Sequence, residues 1–462
     1  TVDTNLGPEF KAIMSYTDDS AILTLMFEFS GFSQLTPNQL AVANYIDAHD
    51  TTITTGDFAN GIVPALNAAG MSGQLQHALD ELSPQRLQML SSVAFNNYTF
   101  ATQHLDDHLT SVRDGAYGLD TSGFAVTDST LSPDLSQIKS RLLAWSPAPT
   151  PGMLSDASSV LGVVKASDPK GPDKISEARV PDKNWSAFIS GNVVLAHVDQ
   201  TSDVAKSNYT TGGATAGLDY RVTTNLRVGA LMDYEHTDAD LDNEGSKAHI
   251  DTYQPGIYLA YADKYGFYAN GLLSYGHNDY SEDRNIIFGG LNRTAHGSPS
   301  GDQYGLNVDG GFDLHRDGGW TFGPAVGLTY VHLGIDNFSE SGADAASLNI
   351  NSQSADSLRT RLGVDIRYSD KIASVLLTPH LNISWQHEFM DDSRTLTGQF
   401  EQAGLGTFGV QTTGPNRDSA LIALGVDAEI NSSLTLFLDY LADVGGNDYL
   451  GQSAQGGAKL AF

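Results

Sequence analysis

Cysteine is absent from all 462 residues, which removes disulfides, thiolate metal ligands and a cysteine nucleophile together. Positive charge is scarce. The chain carries 25 Lys and Arg against 55 Asp and Glu, a formal charge of −30. A nucleic-acid binder needs a basic face to follow phosphates, so this balance excludes that class. Long hydrophobic runs are missing as well, the longest strongly apolar stretch being 21–27. A transmembrane helix needs about 18–20 such residues, so helical membrane spans are excluded and β-barrel ones are not. No basic, apolar N-terminal stretch reads as a signal peptide, and the chain begins mid-pattern, as expected of a processed or truncated product. The chain does have length enough for more than one core.

The pattern divides near residue 184. Residues 10–30 hold apolar runs such as Ala21-Ile-Leu-Thr-Leu-Met-Phe27, which read as short strands. Thr36-Pro37-Asn38-Gln39 then offers a capping Thr, a Pro at the first helical position and a Gln at the third, so a helix should run through Tyr45 and Ile46. Ser83-Pro84 opens a longer helix, expected over 84–113, with Leu87, Leu90, Ala94, Ala101, Leu105, Leu109 and Val112 at helical spacing. Gly115 can close it. From there to Lys183 the text thins, and Ser146-Pro-Ala-Pro-Thr-Pro-Gly152 has the composition of a linker.

From Trp185 onward apolar residues alternate with polar or small ones. Five tight turns stand at 222–225, 263–266, 316–319, 369–371 and 431–433, separated by longer polar stretches near 200–206, 238–247, 280–300, 335–350, 391–416 and 443–449. Five short and six longer connections make twelve strands. Strict alternation of short turns with long loops is the asymmetry of an outer-membrane barrel. In 358–368 one face reads Leu, Thr, Leu, Val, Ile, Tyr and the other Arg359, Arg361, Gly363, Asp365, Arg367. A soluble sandwich gives the same alternation. Long strands, and Gly sharing a face with charge, favour the barrel, with Arg227, Asp233, Arg359, Arg361, Arg367, Asp427 and Asp439 toward the lumen.

Several strings also resemble the translocator domains of autotransporters (type V secretion). They are Thr211-Gly-Gly-Ala-Thr-Ala-Gly-Leu-Asp-Tyr-Arg-Val-Thr-Thr-Asn-Leu-Arg-Val-Gly229, 268–280 with Arg284, and Gly323-Pro-Ala-Val-Gly-Leu-Thr-Tyr-Val-His332 with Phe338-Ser-Glu340. Thr378-Pro-His-Leu-Asn-Ile-Ser-Trp-Gln-His-Glu-Phe389 and the terminal Gly456-Gly-Ala-Lys-Leu-Ala-Phe462 complete the order, so the likeness covers 185–462. The resemblance implies an all-β-dominated fold: a twelve-stranded antiparallel transmembrane β-barrel, preceded by a helical segment and a short β-solenoid end. Its parts would be the end of a passenger solenoid (1–35), a helical junction and pore helix (36–115), a linker (116–184) and the barrel (185–462). It further implies a bacterial outer membrane location with the N-terminal part at the cell surface. The implied partners are outer-membrane lipids, the barrel-assembly machinery, periplasmic chaperones and the chain's own passenger domain. Phe462, with Leu460 on the same face, would be the assembly signal. About 70 residues between Gly115 and Trp185 depart from family members that run almost directly from helix to first strand, so 114–183 is the competing candidate for the pore.

Candidate chemistry is sparse. His104-Leu-Asp-Asp-His108 sets two imidazoles at i and i+4, but Leu105 stands where a metalloprotease has Glu, so the reading is polar helix and no metal site. Asn96-Asn97 lies mid-helix, where some autotransporters release the passenger by Asn cyclisation; ordinary helix surface is the plainer reading. No Gly-x-Ser-x-Gly elbow, phosphate loop or dinucleotide fingerprint is present, so no catalytic set, cofactor or enzymatic activity is expected. Charged lumen residues are ordinary in wet barrel interiors. The alternative to a translocator is a stand-alone outer-membrane channel with an N-terminal accessory domain.

Overall fold

A computed structural model describes residues 7–113, 119–121, 185–198, 206–241, 245–316, 319–372, 375–390, 393–401, 406–412, 414, 417–431, 434–445 and 449–460. Twelve long strands form one closed antiparallel barrel. They are β1 (Trp185–Val198), β2 (Ser207–Arg221), β3 (Leu226–Asp240), β4 (Lys247–Ala262), β5 (Phe267–Phe288) and β6 (Ser300–Phe312). The second half is β7 (Trp320–Ile335), β8 (Gln353–Tyr368), β9 (Val375–Glu388), β10 (Asp418–Asn431), β11 (Leu434–Gly445) and β12 (Tyr449–Leu460). Each pairs with its neighbours in sequence, and β12 closes on β1 from Tyr449↔Val198 to Gln455↔Asn192. Closure satisfies every ladder and leaves no edge, the condition for strands to sit in hydrocarbon. At one end of the seam a short strand, Leu119–Thr121, pairs antiparallel with β12 and parallel with β1. The stretch expected as a linker therefore contributes three residues to the sheet; the rest of it lies outside the described residues.

Period-two alternation sets the faces. Outward stand Leu218, Val228, Leu328, Leu362, Trp385 and Leu436, all exposed, with half-buried Leu381 on the same face as Trp385. Short connections fall at or beside the places read from the sequence, with one shift: 370–372, read within a turn, is a short strand paired with 375–377, which carries that hairpin a few residues further. The turn after β4 shows why its residues are needed. Asp263 Oδ1 accepts hydrogen bonds from the backbone N–H of Tyr265 (2.8 Å) and Phe267 (3.0 Å). Gly266 takes a φ of 101°, and a Cβ there would stand 2.2 Å from the Asp313 carbonyl oxygen. Only glycine fits both constraints.

Three of the long connections, those after β5, β7 and β9, carry strands of their own where their composition suggests loose polar loops. After Gly289-Gly290, β5 folds back as Leu291–Gly297. The loops after β7 and β9 supply Phe338–Ser339, Leu348–Ile350, Thr395–Phe400 and Phe408–Gln411 to a separate four-stranded sheet. On it packs α1 (Pro37–His49), while α2 (Val63–Ser72) and α3 (Leu75–Glu81) pack against the outer part of β5, and α3 against both other helices. Phe29, Ile46, Phe58, Leu66, Leu79, Leu348, Phe400 and Val410 belong to one buried core, each such side chain stabilising by about 1.5–3 kcal/mol relative to exposure. Helix α1 begins with the expected capping box. Thr36 Oγ1 accepts from the Gln39 N–H (3.3 Å), and Gln39 Oε1 accepts from the Thr36 N–H (2.9 Å). From its first turn, Asn38 bonds both backbone groups of Gln411, at 2.8 and 2.7 Å, covering the edge strand of the sheet.

Residues Phe10–Tyr16 and Ala21–Phe27 pair antiparallel, Tyr16 against Ala21. These are the short strands read from the apolar runs of 10–30, joined as a hairpin. Four residues can close a hairpin, whereas a parallel pairing needs a crossover of a dozen or more.

Candidate functional site: the barrel interior and its helix

The long helix, α4 (Gln88–Arg113), starts four residues later than its sequence signal, because Pro84–Leu87 forms a 3-10 turn with Ser83 Oγ accepting from the Gln85 N–H. Its side chains meet inward-facing residues of strands all round the barrel. Near the loop end, Asn97 Nδ2 donates to Thr237 Oγ1 (3.1 Å) on β3, and Thr211 Oγ1 on β2 donates to Asn97 Oδ1 (3.2 Å). Tyr98 reaches Ser274 Oγ (3.1 Å) and lies over Gly305, where a Cβ would be 2.3 Å from its ring. A turn or two later His104 bonds Gln455 and, through Nε2, Ser453 Oγ (3.0 Å) on β12. Asp106 Oδ1 accepts from Asn270 Nδ2 (2.8 Å) on β5, toward the turn end. Leu105 and Leu109 pack with Phe188, Leu231, Tyr258 and Leu272, apolar residues of the inner wall.

Two arginines on β8 tie the helix to the wall. Arg359 donates through Nη1 to Thr99 Oγ1 (2.9 Å), through Nη2 to Asn96 Oδ1 (3.1 Å) and through Nε to Glu388 Oε2 (2.9 Å). Arg361 bonds Gln103, donates to Asp309 Oδ1 (2.7 Å), and stands 3.9 Å from Asp106 Oδ2. Arg227 is paired with Asp219 (2.6 Å), whose other oxygen accepts from Tyr258 OH, and Arg367 with Asp313 (2.7 Å). Asp233 accepts from Thr215 (2.6 Å). Asp427 and Asp439 flank His380 in a small cavity that Gln103, His104 and Thr110 also line.

The interior is less wet than a charged lumen implies, since Arg227, Asp233, Arg359, Arg361 and Arg367 are each under 10% exposed. Buried charge of this kind is tolerable only when paired and hydrogen-bonded. Asn96 and Asn97 sit inside this network rather than on an ordinary helix surface. For the His104–His108 pair, His104 is committed to β12, and the side chain of His108 lies outside the described residues, as does Phe462. Leu460 pairs with Leu434. Sequence reading missed the partners that complete the network: Tyr98, Thr99, Asn270, Asp309, Glu388 and Ser453. Period two could assign their faces, but not the level in the barrel at which each meets the helix.

Taken together, the chain stands at the loop end with α1–α3, passes inward along α4 to the turn end, and begins β1 there, since Trp185 pairs with Tyr220 beside the 222–225 turn.

Comparison with known proteins gives the family of this arrangement. The model described as the autotransporter beta-domain matches residues 187–441. The chain is 22% identical over 54% of its length to the esterase EstA of Pseudomonas aeruginosa, covering 39% of that protein. It is 26% identical over 61% of its length to an extracellular serine protease of Serratia marcescens, covering 26% of it. It thus spans well under half the length of these relatives. Among solved structures, the translocator domain of the autotransporter NalP from Neisseria meningitidis aligns with 60% of this chain and 89% of its own, at 18% identity and a TM-score of 0.48.

Proposed function

The chain belongs to the autotransporter β-domain family, and from that premise we propose that α4 is the resident plug of an outer-membrane translocator, left in the pore by the export of the chain before it. The barrel anchors the protein in the outer membrane. The carrying observation is the path of the chain. A polypeptide with α1–α3 at the loop end and its first strand starting at the turn end threads the barrel, and α4 is the thread. In this reading the loop end faces outward, and α1–α3 with the sheet beneath them form a surface cap at the base of a passenger.

The N-terminal hairpin supports a passenger there. Tyr16, Leu23 and Leu25 are 76%, 53% and 53% exposed, an apolar surface that further chain would cover. Assembly by the barrel-assembly machinery, with periplasmic chaperones, completes the reading. Its test uses the absence of native cysteine. On intact cells, S72C in the cap should react with a membrane-impermeant maleimide, and Y265C, in a turn at the other end, should react only after lysis. Labelling in the reverse order would refute the orientation, and with it export through the barrel.

A further inference from the structure

On the outer face of the barrel, four of the six long-loop hairpins repeat one cross-strand device. An aromatic residue and the His two positions later both bond a single carboxylate oxygen, Oδ1, of the Asp opposite that His. Tyr234 and His236 meet Asp251 at 2.7 and 2.8 Å; Tyr275 and His277 meet Asp302 at 2.7 and 2.9 Å. Tyr330 and His332 meet Asp356 at 2.8 and 2.9 Å; Trp385 and His387 meet Asp418 at 2.9 and 2.8 Å. Along β3, His236 lies ten residues beyond the turn-end residue Leu226. At about 3.4 Å rise per residue and roughly 40° tilt, that is about 26 Å up the barrel, the top of an apolar band some 25 Å tall. The four imidazoles therefore stand at the headgroup boundary, in reach of water and its solutes.

The device fixes a tautomer. With Nδ1–H given to the Asp, the His presents Nε2 as a lone pair. At β3–β4, the next rung outward carries the same pair reversed, Asp238 opposite His249. His249 Nδ1 lies 2.6 Å from Asp238 Oδ1, and His236 Nε2 lies 3.6 Å from that same oxygen. The two imidazole rings are nearly parallel, 13° apart with centroids 6.3 Å apart. An imidazole lone pair and a carboxylate oxygen thus face one another with a second imidazole beside them. Such acceptors come together stably only around a proton or a cation. Two of the other three repeats lack the second imidazole: Asp279 is opposite Ser300, and Gly334 is opposite Ser354.

We propose that His236, Asp238 and His249 form a site for a borderline divalent transition metal of the zinc class at the outer rim of the barrel. Ligand atoms that all lie within 4.8 Å of one another reach zinc distances of about 2.0–2.2 Å by small side-chain rotations. Two imidazoles and one carboxylate select zinc, nickel or copper over calcium and magnesium, which take oxygen ligands. His249 binds through Nδ1 as its Nε2–H tautomer. Asp251, braced by Tyr234, is a positioning residue that aims His236 Nε2. This site is independent of export through the barrel.

Zinc titration of the untagged, folded chain in detergent tests it by calorimetry, with heat-modifiable gel mobility reporting that each variant is folded. One saturable site per chain is expected at micromolar Zn²⁺, weakened at least about tenfold in H236A and H249A and about 10–100-fold in D251N. H277A, which removes the single imidazole beside Asp279, should leave it unchanged. With Cu²⁺ as the probe, the nitrogen hyperfine pattern should fall from two imidazoles to one in H249A. Absence of saturable binding by the native chain, or binding that survives H249A, would overturn the proposal.

Discussion

Removing α4 should open the barrel to ions, and the geometry says by how much. Twelve strands about 4.8 Å apart and tilted roughly 40° close at a backbone diameter of about 24 Å. Inward side chains of roughly 5 Å on each side leave a lumen of about 14 Å, against a helix of about 10–12 Å. The helix therefore occupies more than half of the open cross-section. Interdigitated contacts such as Tyr98 over Gly305 and Arg359 on Asn96 and Thr99 fill much of the rest. At about 1.5 Å per residue, its 26 residues extend about 39 Å, long enough to block the full membrane depth. Deleting 84–113 should raise single-channel conductance in planar bilayers at least about twofold, the lower bound from the ratio of free areas for a helix of about 10 Å. R359A/R361A keeps the helix but removes its two wall anchors, so brief openings should appear on a mostly closed baseline. Heat-modifiable mobility must show each variant folded. A folded deletion variant with native conductance would refute the plug and move it to the 114–183 segment.

Two further outcomes follow from charge placement. E388A leaves the Arg359 guanidinium buried without its carboxylate and should cost about 3–5 kcal/mol, read as a lower thermal midpoint of the folded band, while T99A, which removes one neutral partner, should cost about 1 kcal/mol. In the cap, the bidentate bond from Arg293 (2.6 and 2.7 Å) holds the Asp57 carboxyl below its usual range. A depressed folded value stabilises the cap above the unfolded carboxylate range and loses that contribution as pH falls through the folded value. Hydrogen exchange of α2 should therefore quicken below about pH 4, and D57N should abolish the pH step; a step that persists in D57N would assign it to another carboxylate.

The barrel was legible in the sequence because its two periodicities are local. Alternation along 358–368 separates Leu362 from Arg361 without knowledge of any other strand, and five Gly-, Asn- or Asp-bearing turns count the hairpins. The cap was hidden because its sheet is assembled from strands of two to six residues in two separate loops. Too few apolar positions occur in each for a period to emerge, and Phe338, Leu348 and Phe400 acquire a common core only in three dimensions. The interior network is a different case. Period two sends Arg359 and Arg361 inward, and the 3.6-residue period groups the polar residues of α4. Neither fixes the height of the helix in the barrel or its rotation about its own axis. Those two degrees of freedom are set by contacts about 110–350 residues apart in sequence, among them Asn97–Thr211, Arg359–Thr99 and His104–Ser453. The helix position also decides which arginine faces Asp106. Arg359 is committed to the loop-end half through Asn96 and Thr99, which leaves Arg361, one outward residue further along β8, to face Asp106 near the turn end.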